Sequence, residues 1–467
     1  MVAEKTSGTG GKRLALAASC AGIFLAVLRS TSANTALPEI RADLGGAVAG
    51  LQWVAGSYTL VLASLLLSVG ALTDRLGARR LFLAGLGFFA LLSALSAAAP
   101  SLGVLIAFQV PLGVAGALLG PPSLALIGRL FTEPSERARA IGLWAASTGL
   151  AVAVGPVLGG VLTGALGWRG LFLVNVPLAL LVVVVAARFV PETARASDRG
   201  LDPLGQATGI LALFALTFAL IEGGRQGFSA VVVTALATAL AGAIIFLIVE
   251  RRLESRGAHA MLPLGLFRDP RFSVATVVGV VLTFCVFGQI FLLSLFFGSV
   301  LGYPALLMGL AFLPLAVVTF GASILAGGLA SKVGPRWLMV VGCAIASLGS
   351  LVLLLVGEET SYLLILANLL IVGIGGGLVQ PSSVAALLSS VPAERVGVAS
   401  AVVNASRQVG GVLGVALLGS LIAGEAFVSG LHLAGYICGG AFIVGAVLSF
   451  SYLNTPGKVI IRADAGG

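Results

Sequence analysis

The chain has 467 residues, of which 58% are hydrophobic and only 10% are charged, and it carries a net charge of +9. A mean hydropathy of +1.12 over the whole length leaves no room for a soluble catalytic domain. The basic residues are spread over short segments between apolar runs. We therefore expect no nucleic-acid interface, because such an interface gathers basic residues on one soluble face.

The hydropathy pattern predicts fourteen membrane-spanning helices. Each apolar run has roughly 20 residues, and a run of ~18 or more with few charges is typical of a membrane helix. In chain order the predicted spans are residues 14–34, 51–72, 80–99, 103–128, 139–165, 170–190, 204–222, 229–249, 272–297, 304–328, 336–356, 361–388, 396–423 and 430–453.

The distribution of Lys and Arg supports an even number of spans. With fourteen spans, 22 basic residues fall on the side of the two termini, and only three, Arg41, Arg169 and Arg225, fall on the other side. Because Lys and Arg accumulate in cytoplasmic loops, both termini are predicted to be cytoplasmic. We expect a multi-pass monomer in the bacterial inner (plasma) membrane.

Two segments dense in mixed charge, residues 191–201 and 250–271, enclose the seventh and eighth spans. This arrangement predicts two inserted helices (204–249) between an N-terminal six-helix half (14–190) and a C-terminal six-helix half (272–453), with cytoplasmic termini at 1–13 and 454–467. The loops GALTDRLGARR and GGLASKVGPR occupy matching places in the two halves. Repeated halves are typical of transporters that bind substrate between them near the bilayer midplane.

Five stretches carry more specific motifs: GALTDRLGARR (70–80), VGPVLGG (154–160), WRGLFLVNVP (168–177), LDPLG (201–205) and NASRQVGGVLGVA (404–416). In this order and spacing they resemble the major facilitator superfamily, and within it the fourteen-helix drug:proton antiporters, over nearly the full length. The resemblance implies an all-α membrane fold and export by alternating access.

The resemblance also implies two sets of functional residues. The loop motif implies a cytoplasmic gate, in which the acid helps to latch the two halves together; its residues are Gly70, Asp74, Arg75, Gly77 and Arg80. The fifth span implies a helix pivot that favours export, formed by Gly155, Pro156, Gly159 and Gly160. Glycines also permit close helix approach, and a proline bends a helix, so packing is part of either interpretation.

Charged residues inside the spans are candidates for substrate binding or coupling. An ionisable group at mid-helix costs at least ~2.5 to 3.5 kcal/mol, so it persists mainly where it faces a cavity or a partner. Arg29, Glu222 and Arg407 meet this criterion, and we add Asn34 and Gln109. For Glu222 exposure to water at the end of its span is an equal explanation, and Arg407 could extend toward the cytoplasm.

Arg29 and Gln109 depart from the motifs of the family. The antiporters carry an acid at the position of Arg29 in the first helix and an arginine at the position of Gln109 in the fourth. Here a base and an amide take these places, which leaves proton coupling open. Glu222 is the only intramembrane acid that the sequence nominates.

Nothing in the sequence indicates an enzyme, a cofactor or a metal site. Four cysteines at positions 20, 285, 343 and 438 lie in different spans without the spacing of a ligand set, so we expect them to be small buried side chains. The favoured function is gradient-driven export of small amphipathic compounds, with the lipid bilayer as surroundings and protons as an open candidate for the coupling ion. Two alternatives remain: a carrier of an anionic substrate or a proton-uncoupled facilitator, and a membrane sensor or binding protein without transport.

Overall fold

The computed structural model describes residues 9–191, 202–256, 261–391, 396–422 and 427–453. In this part of the chain every regular element is a helix, and sixteen are α-helices. They are α1 (Thr9–Leu44), α2 (Val48–Leu76), α3 (Ala78–Ala97), α4 (Leu102–Ala117), α5 (Gly120–Leu130), α6 (Pro134–Leu173), α7 (Asn175–Phe189), α8 (Pro203–Gln226), α9 (Ala230–Ser255), α10 (Pro270–Leu295), α11 (Ala305–Ala311), α12 (Leu313–Val333), α13 (Pro335–Leu351), α14 (Tyr362–Leu388), α15 (Val396–Ser420) and α16 (Phe427–Tyr452).

Each of the fourteen predicted spans coincides with a helical segment, which confirms the all-α membrane fold. Thirteen helical stretches of the described residues are long and apolar enough to cross a bilayer, and Asn175–Phe189 is a shorter apolar helix of 15 residues. The fourth span consists of α4 and α5. The fifth and sixth spans meet at Gly167, where a φ of 72° turns the chain inside α6; only glycine adopts this backbone conformation easily.

The first helix is longer than predicted: it continues past Pro38 to Leu44 rather than ending near residue 34. The extension is held by Trp168, whose backbone N–H donates to Glu39 Oε1 at 3.1 Å and whose Nε1 donates to Asp43 Oδ2 at 2.9 Å. Arg169 forms an ion pair with the same carboxylate. A hydropathy window cannot detect such contacts, because they join residues about 125 positions apart.

The two loops that echo each other in sequence have the same backbone structure. Gly77 ends α2 with a φ of 96°, and its N–H donates to the Thr73 carbonyl at 3.1 Å. Gly334 ends α12 with a φ of 83°, and its N–H donates to the Ala330 carbonyl at 3.1 Å. Both turns require a positive φ, which explains glycine at the same place in each half.

The helices form an N-terminal bundle (α1–α7), a C-terminal bundle (α10–α16) and the pair α8 and α9, which pack on each other. Helix α8 also contacts α2 and α15, so the pair borders the seam between the bundles. The division into residues 14–190, 204–249 and 272–453 remains a prediction. Several predicted features lie outside the described residues. These are residues 1–8 of the predicted N-terminus 1–13, residues 192–201 of the charged segment 191–201, the whole predicted C-terminus 454–467, His259, and the basic residues Lys5, Arg195, Arg199, Arg395, Lys458 and Arg462.

Candidate substrate cavity and its closure

A small cavity lies between the two bundles, at the middle of the long helices. It has room for about one water molecule. Helices α1 and α2 form one wall, and α10 and α15 form the other; the lining residues are Ser30, Asn34, Ala55, Gly56, Thr59, Phe287, Gly411, Val412 and Val415. The first wall carries the polar groups and the second is apolar, a combination that suits an amphipathic molecule.

The polar wall contains one buried group without a partner. Ser30 Oγ and Thr59 Oγ1 lie 3.0 Å apart and share a hydrogen bond across α1 and α2. Asn34 is buried, and its Oδ1 makes no hydrogen bond within the described residues. An unsatisfied buried acceptor is costly unless water or a ligand serves it. Asn34, a predicted site residue, therefore offers an acceptor to whatever occupies the cavity.

Among the described residues, an apolar core joins the two bundles at one end of this cavity and not at the other. We call the membrane side with the loops at residues 75–80 and 332–336 the basic side, and the other the opposite side. Toward the opposite side, buried residues such as Leu37, Leu51 and Phe297 belong to one apolar cluster that joins both bundles. Toward the basic side, the N-terminal bundle has a separate core, which includes Phe82 and Leu126.

A pair of glycines brings the bundles into backbone contact at the opposite side. A Cβ added at Gly160 on α6 would lie 2.6 Å from Gly309 Cα on α11, and one added at Gly309 would lie 2.9 Å from Gly160 Cα. Gly298 likewise leaves room for Pro38 on α1, because a Cβ added at Gly298 would lie 2.6 Å from the Cβ of Pro38. Real Cβ atoms do not approach this closely, so larger residues at these positions would separate the bundles.

The remaining glycines of the predicted pivot face a different neighbour. An added Cβ at Gly155 would collide with Thr31, and one at Gly159 would lie 3.0 Å from Ser32 Cα; both partners are on α1, in the same bundle. Pro156 lies inside α6, where its carbonyl faces Gly309. Thus α6 packs against α1 through two glycines and against the C-terminal bundle through Gly160.

A glutamine outside the sequence motifs also joins the bundles. Gln52 at the start of α2 is fully buried. Its Nε2 donates to the carbonyls of Val415 and Ala416 on α15, at 3.1 and 2.8 Å. The second turn of α2 is thereby fastened to the other bundle at the opposite side.

The predicted gate residues lie together at the basic end of α2 and the start of α3. Gly77 forms the turn, Asp74 is half-buried, and Arg75 and Arg80 are exposed. An added Cβ at Gly70 would meet no atom within 4 Å, so no close helix contact requires glycine there in this conformation. The neighbouring Arg79 donates to the Ala187 carbonyl at 2.6 Å, which fastens the loop to the end of α7.

Arg29 does not line the cavity. Its side chain is buried within the N-terminal bundle, where Nη2 donates to Gln109 Oε1 on α4. The guanidinium carbon lies 4.6 Å from the ring centroid of Phe172 and 5.6 Å from that of Tyr58, within the range of cation–π attraction. The two positions at which the motifs depart from the family pattern are therefore direct partners, and Arg29 Nε is left without a hydrogen bond in the described structure.

Arg407 occupies a corresponding setting in the C-terminal bundle. Its Nη2 donates to Ser383 Oγ at 2.7 Å and to the Gln380 carbonyl at 3.3 Å, both on α14. An added Cβ at Gly279 on α10 would lie 3.1 Å from Arg407 Nε, so the arginine lies between α10, α14 and α15. Arg407 is thus bound to neutral groups within its own bundle.

Residues 19–415 match the family model described as Major Facilitator Superfamily. The chain belongs to this superfamily. It is 36% identical over 411 residues to the Multidrug resistance protein Stp of Mycobacterium tuberculosis, a match covering 88% of this chain and 76% of that protein. It is 32% identical over 455 residues to the Methylenomycin A resistance protein of Bacillus subtilis, covering 97% and 96%.

The fold of this superfamily member also resembles a solved structure. A bacterial homologue of the human lysosomal transporter Spinster, in an inward-facing and occupied conformation, matches with a TM-score of 0.69 and 17% identity, covering 96% of this chain and 98% of that one. Such low identity supports the fold alone. The family assignment confirms both the predicted resemblance and the prediction of a transporter rather than an enzyme.

The surroundings of two acidic residues of this superfamily member, Glu222 and Glu250, differ from what the sequence predicted. Glu222 Oε2 accepts hydrogen bonds from Arg225 Nη2 at 2.8 Å and from Gln226 Nε2 at 2.7 Å, at the end of α8 and outside the cavity lining. The sequence nominated Glu222 alone, but Glu250 near the end of α9 is a second acid of the helical segments, and it is fully buried in the protein. The sequence did not indicate a buried position for Glu250, because two arginines follow it directly and the pattern predicts the start of a charged loop there.

Other residues of the cavity were also missed. Thr59, Phe287 and Val415 line it, but serine, threonine, phenylalanine and valine are common on every membrane helix. The GGVLG stretch of α15 was the one sequence feature that could have indicated this wall of the cavity, since it contains the lining residues Gly411 and Val412. Within the described residues no group of three or more His, Cys, Asp or Glu side chains could hold a metal ion.

Proposed function

We propose that this chain is a secondary transporter that exports small amphipathic compounds by alternating access. One observation carries the proposal: in the part of the chain that the structure describes, the bundles share an apolar core on the opposite side and not on the basic side, with a cavity of mixed polarity at the seam. Alternating access needs such a seam, because one end must open while the other stays closed. Relatives named for multidrug resistance and for methylenomycin A resistance support a drug-like substrate.

The orientation follows from charge. In the predicted topology 22 Lys and Arg residues fall on the side of the loops at 75–80 and 332–336, whereas three fall on the other side, so the positive-inside rule assigns the basic side to the cytoplasm. The described conformation is then closed toward the outside. We place the protein as a monomer in the bacterial inner (plasma) membrane, with both termini cytoplasmic and six helices on each side of an inserted pair.

An efflux assay in proteoliposomes tests this function. The purified full-length chain is reconstituted, vesicles are loaded with a cationic or an anionic dye, and release is followed with and without an imposed pH gradient. We expect release of the cationic amphipathic dye above that of protein-free vesicles. The comparison with and without the pH gradient decides whether protons drive transport. The sequence leaves this question open, because Arg29 stands where the antiporters carry an acid.

The two alternative functions have less support. An anion carrier was suggested by the expectation that Arg29 faces the substrate, but its guanidinium lies among Gln109, Phe172 and Tyr58, away from the cavity. A sensor without transport would have no need of a seam with backbone contact at one end only. Faster release of the anionic dye would favour the first alternative, and dye binding without release would favour the second.

A further inference from the structure

Two carboxylates meet where the helices α8 and α9 approach each other at the basic side. Asp202 precedes α8, and its Oδ1 accepts a hydrogen bond from Gly205 N at 2.8 Å. Glu250 lies near the end of α9, and its Oε2 accepts one from Leu262 N at 3.0 Å. Each carboxylate thus uses one oxygen to fix a neighbouring stretch of backbone.

The second oxygens of these two carboxylates face each other. Asp202 Oδ2 and Glu250 Oε1 are both buried, and neither has a hydrogen-bond donor among the described residues. A Cβ added at Gly205 would touch both, at 3.1 Å in the case of Glu250 Oε1, so the two oxygens border the same small space. Glycine at position 205 leaves the space in which they meet.

Two buried oxygens that only accept hydrogen bonds cannot satisfy each other, and two adjacent negative charges repel. A single proton resolves both problems, because the carboxylic acid then donates an O–H hydrogen bond to the remaining carboxylate. We propose that Asp202 and Glu250 form one proton-binding site, which holds one shared proton. Release of that proton to the cytoplasmic solution leaves two ionised carboxylates and no hydrogen bond between them.

The surroundings favour a proton over a metal cation. A cation such as Ca²⁺ needs about 6 to 8 oxygen ligands, whereas the outer oxygens here are occupied by backbone N–H groups. The facing side chains from α2 and α8 are neutral: Ser68 Oγ donates to Gln206 Oε1, and Gln206 Nε2 donates to the Ser64 carbonyl at 2.8 Å. Leu262 itself belongs to the short segment 261–268, which contributes apolar side chains and Arg268.

The remaining charged neighbours lie on α9 itself. Arg251 and Arg252 have exposed side chains, and Glu254 Oε1 accepts a hydrogen bond from Gly265 N at 2.9 Å. His259 belongs to residues 257–260, outside the described structure. Glu254 therefore provides a matched control, because it is an acid that binds the same segment without facing a second carboxylate.

The shared proton would fasten the connection to the C-terminal bundle. Residues 261–268 lead directly into α10; Leu262 is held by Glu250 and Gly265 by Glu254, while Met261 Sδ lies 3.5 Å from Ser68 Oγ on α2. Loss of the proton places a second negative charge beside Glu250 and weakens this attachment. The inference does not depend on the direction or the driving ion of transport.

Infrared difference spectroscopy on the full chain in lipid nanodiscs tests the site. We expect a carbonyl band of a protonated carboxyl group that disappears as the pH is raised. Asp202→Asn and Glu250→Gln should each abolish this band, because the new amide donates the hydrogen bond to an ionised partner. Glu254→Gln should retain it. A band that survives in either of the first two variants, or no titrating band in the wild type, would overturn the proposal.

Hydrogen exchange of the peptide containing residues 261–268 tests the consequence. After correction for the intrinsic effect of pH, protection in the wild type should fall as the shared proton is lost. In Asp202→Asn and Glu250→Gln protection should be independent of pH, since an amide mimics the protonated pair and asparagine still caps α8. Glu250→Ala should remove protection at every pH. Wild-type protection that does not vary with pH would show that the site does not control this segment.

Discussion

Arg29 donates a hydrogen bond to Gln109 at the place in the N-terminal bundle where Gln289 and Asn368 pair in the C-terminal bundle. Arg29 and Gln289 lie on the first helix of their bundles, and Gln109 and Asn368 on the fourth span. A serine of the third span completes each set: Gln109 Nε2 lies 3.5 Å from Ser96 Oγ, and Gln289 Nε2 donates to Ser350 Oγ at 3.0 Å.

These two sets of three buried polar residues explain how Arg29 is tolerated. The C-terminal set is uncharged, and it holds three helices together through side-chain amide and hydroxyl groups and the Gly349 carbonyl. The N-terminal set joins the same three helices, but there the guanidinium on the first helix donates to the amide of the fourth span, and that amide is the group next to the serine. Arg29 therefore acts as a structural hydrogen-bond donor, and the two aromatic rings beside it accommodate its charge.

We predict that Arg29→Gln retains folding and transport, because a glutamine recreates the pairing found in the other bundle. Arg29→Ala leaves Gln109 Oε1 buried without a donor, which costs about 1 to 3 kcal/mol. Thermal unfolding in detergent should show a clear decrease for the alanine variant and a small one for the glutamine variant. A changed preference between cationic and anionic dyes in Arg29→Gln would show instead that Arg29 contacts substrate.

We predict that Gly160→Leu prevents closure at the opposite side. The new side chain would enter the space of Gly309, and overpacking of this kind costs roughly 1 to 3 kcal/mol. Efflux should be lost while membrane insertion is retained. Gly87→Leu is the control, since an added Cβ there meets no atom within 4 Å. Normal efflux by Gly160→Leu would mean that the contact between α6 and α11 is dispensable.

Phe287 has the largest side chain among the residues that line the cavity, and we predict that Phe287→Ala weakens binding of aromatic dyes. The substitution removes apolar contact worth roughly 1 to 2 kcal/mol of binding free energy. Because ~1.4 kcal/mol corresponds to a factor of ten in affinity, KM should rise about tenfold. The maximal rate should change little. Phe88→Ala, at a residue that is 55% exposed on α3, should leave KM unaltered. Equal KM values for both variants would place the substrate elsewhere.

The gate residue Asp74 remains a prediction from the family motif. If the acid helps to latch the cytoplasmic ends in the outward-open state, Asp74→Asn removes a charge contact of about 1 to 2 kcal/mol. We expect reduced efflux at normal expression. Ser331→Ala, at the matching place of the second loop, should have no such effect. Full efflux by Asp74→Asn would rule out the latch.

The sequence by itself determined the membrane fold and the repeat. Apolar runs of about 20 residues can be satisfied only by helices that cross the bilayer, and the turns at Gly77 and Gly334 need a residue that accepts positive φ. The glycines of the fifth span likewise predicted a close helix neighbour, although the sequence did not show that Gly155 and Gly159 would face α1 within the same bundle. These features depend on local composition and on short spacings, which a single sequence displays directly.

Only the tertiary structure decided which polar residues share a site. Arg29 and Gln109 lie 80 positions apart, and the rotation of α1 turns Arg29 into the bundle while Ser30 and Asn34 face the cavity. In the same way, Asp202 and Glu250 meet because α8 and α9 pack antiparallel, although the sequence places both acids in charged loops. The direction of a side chain depends on the rotation of its helix and on residues far away in the sequence, and a hydropathy profile contains no information about either.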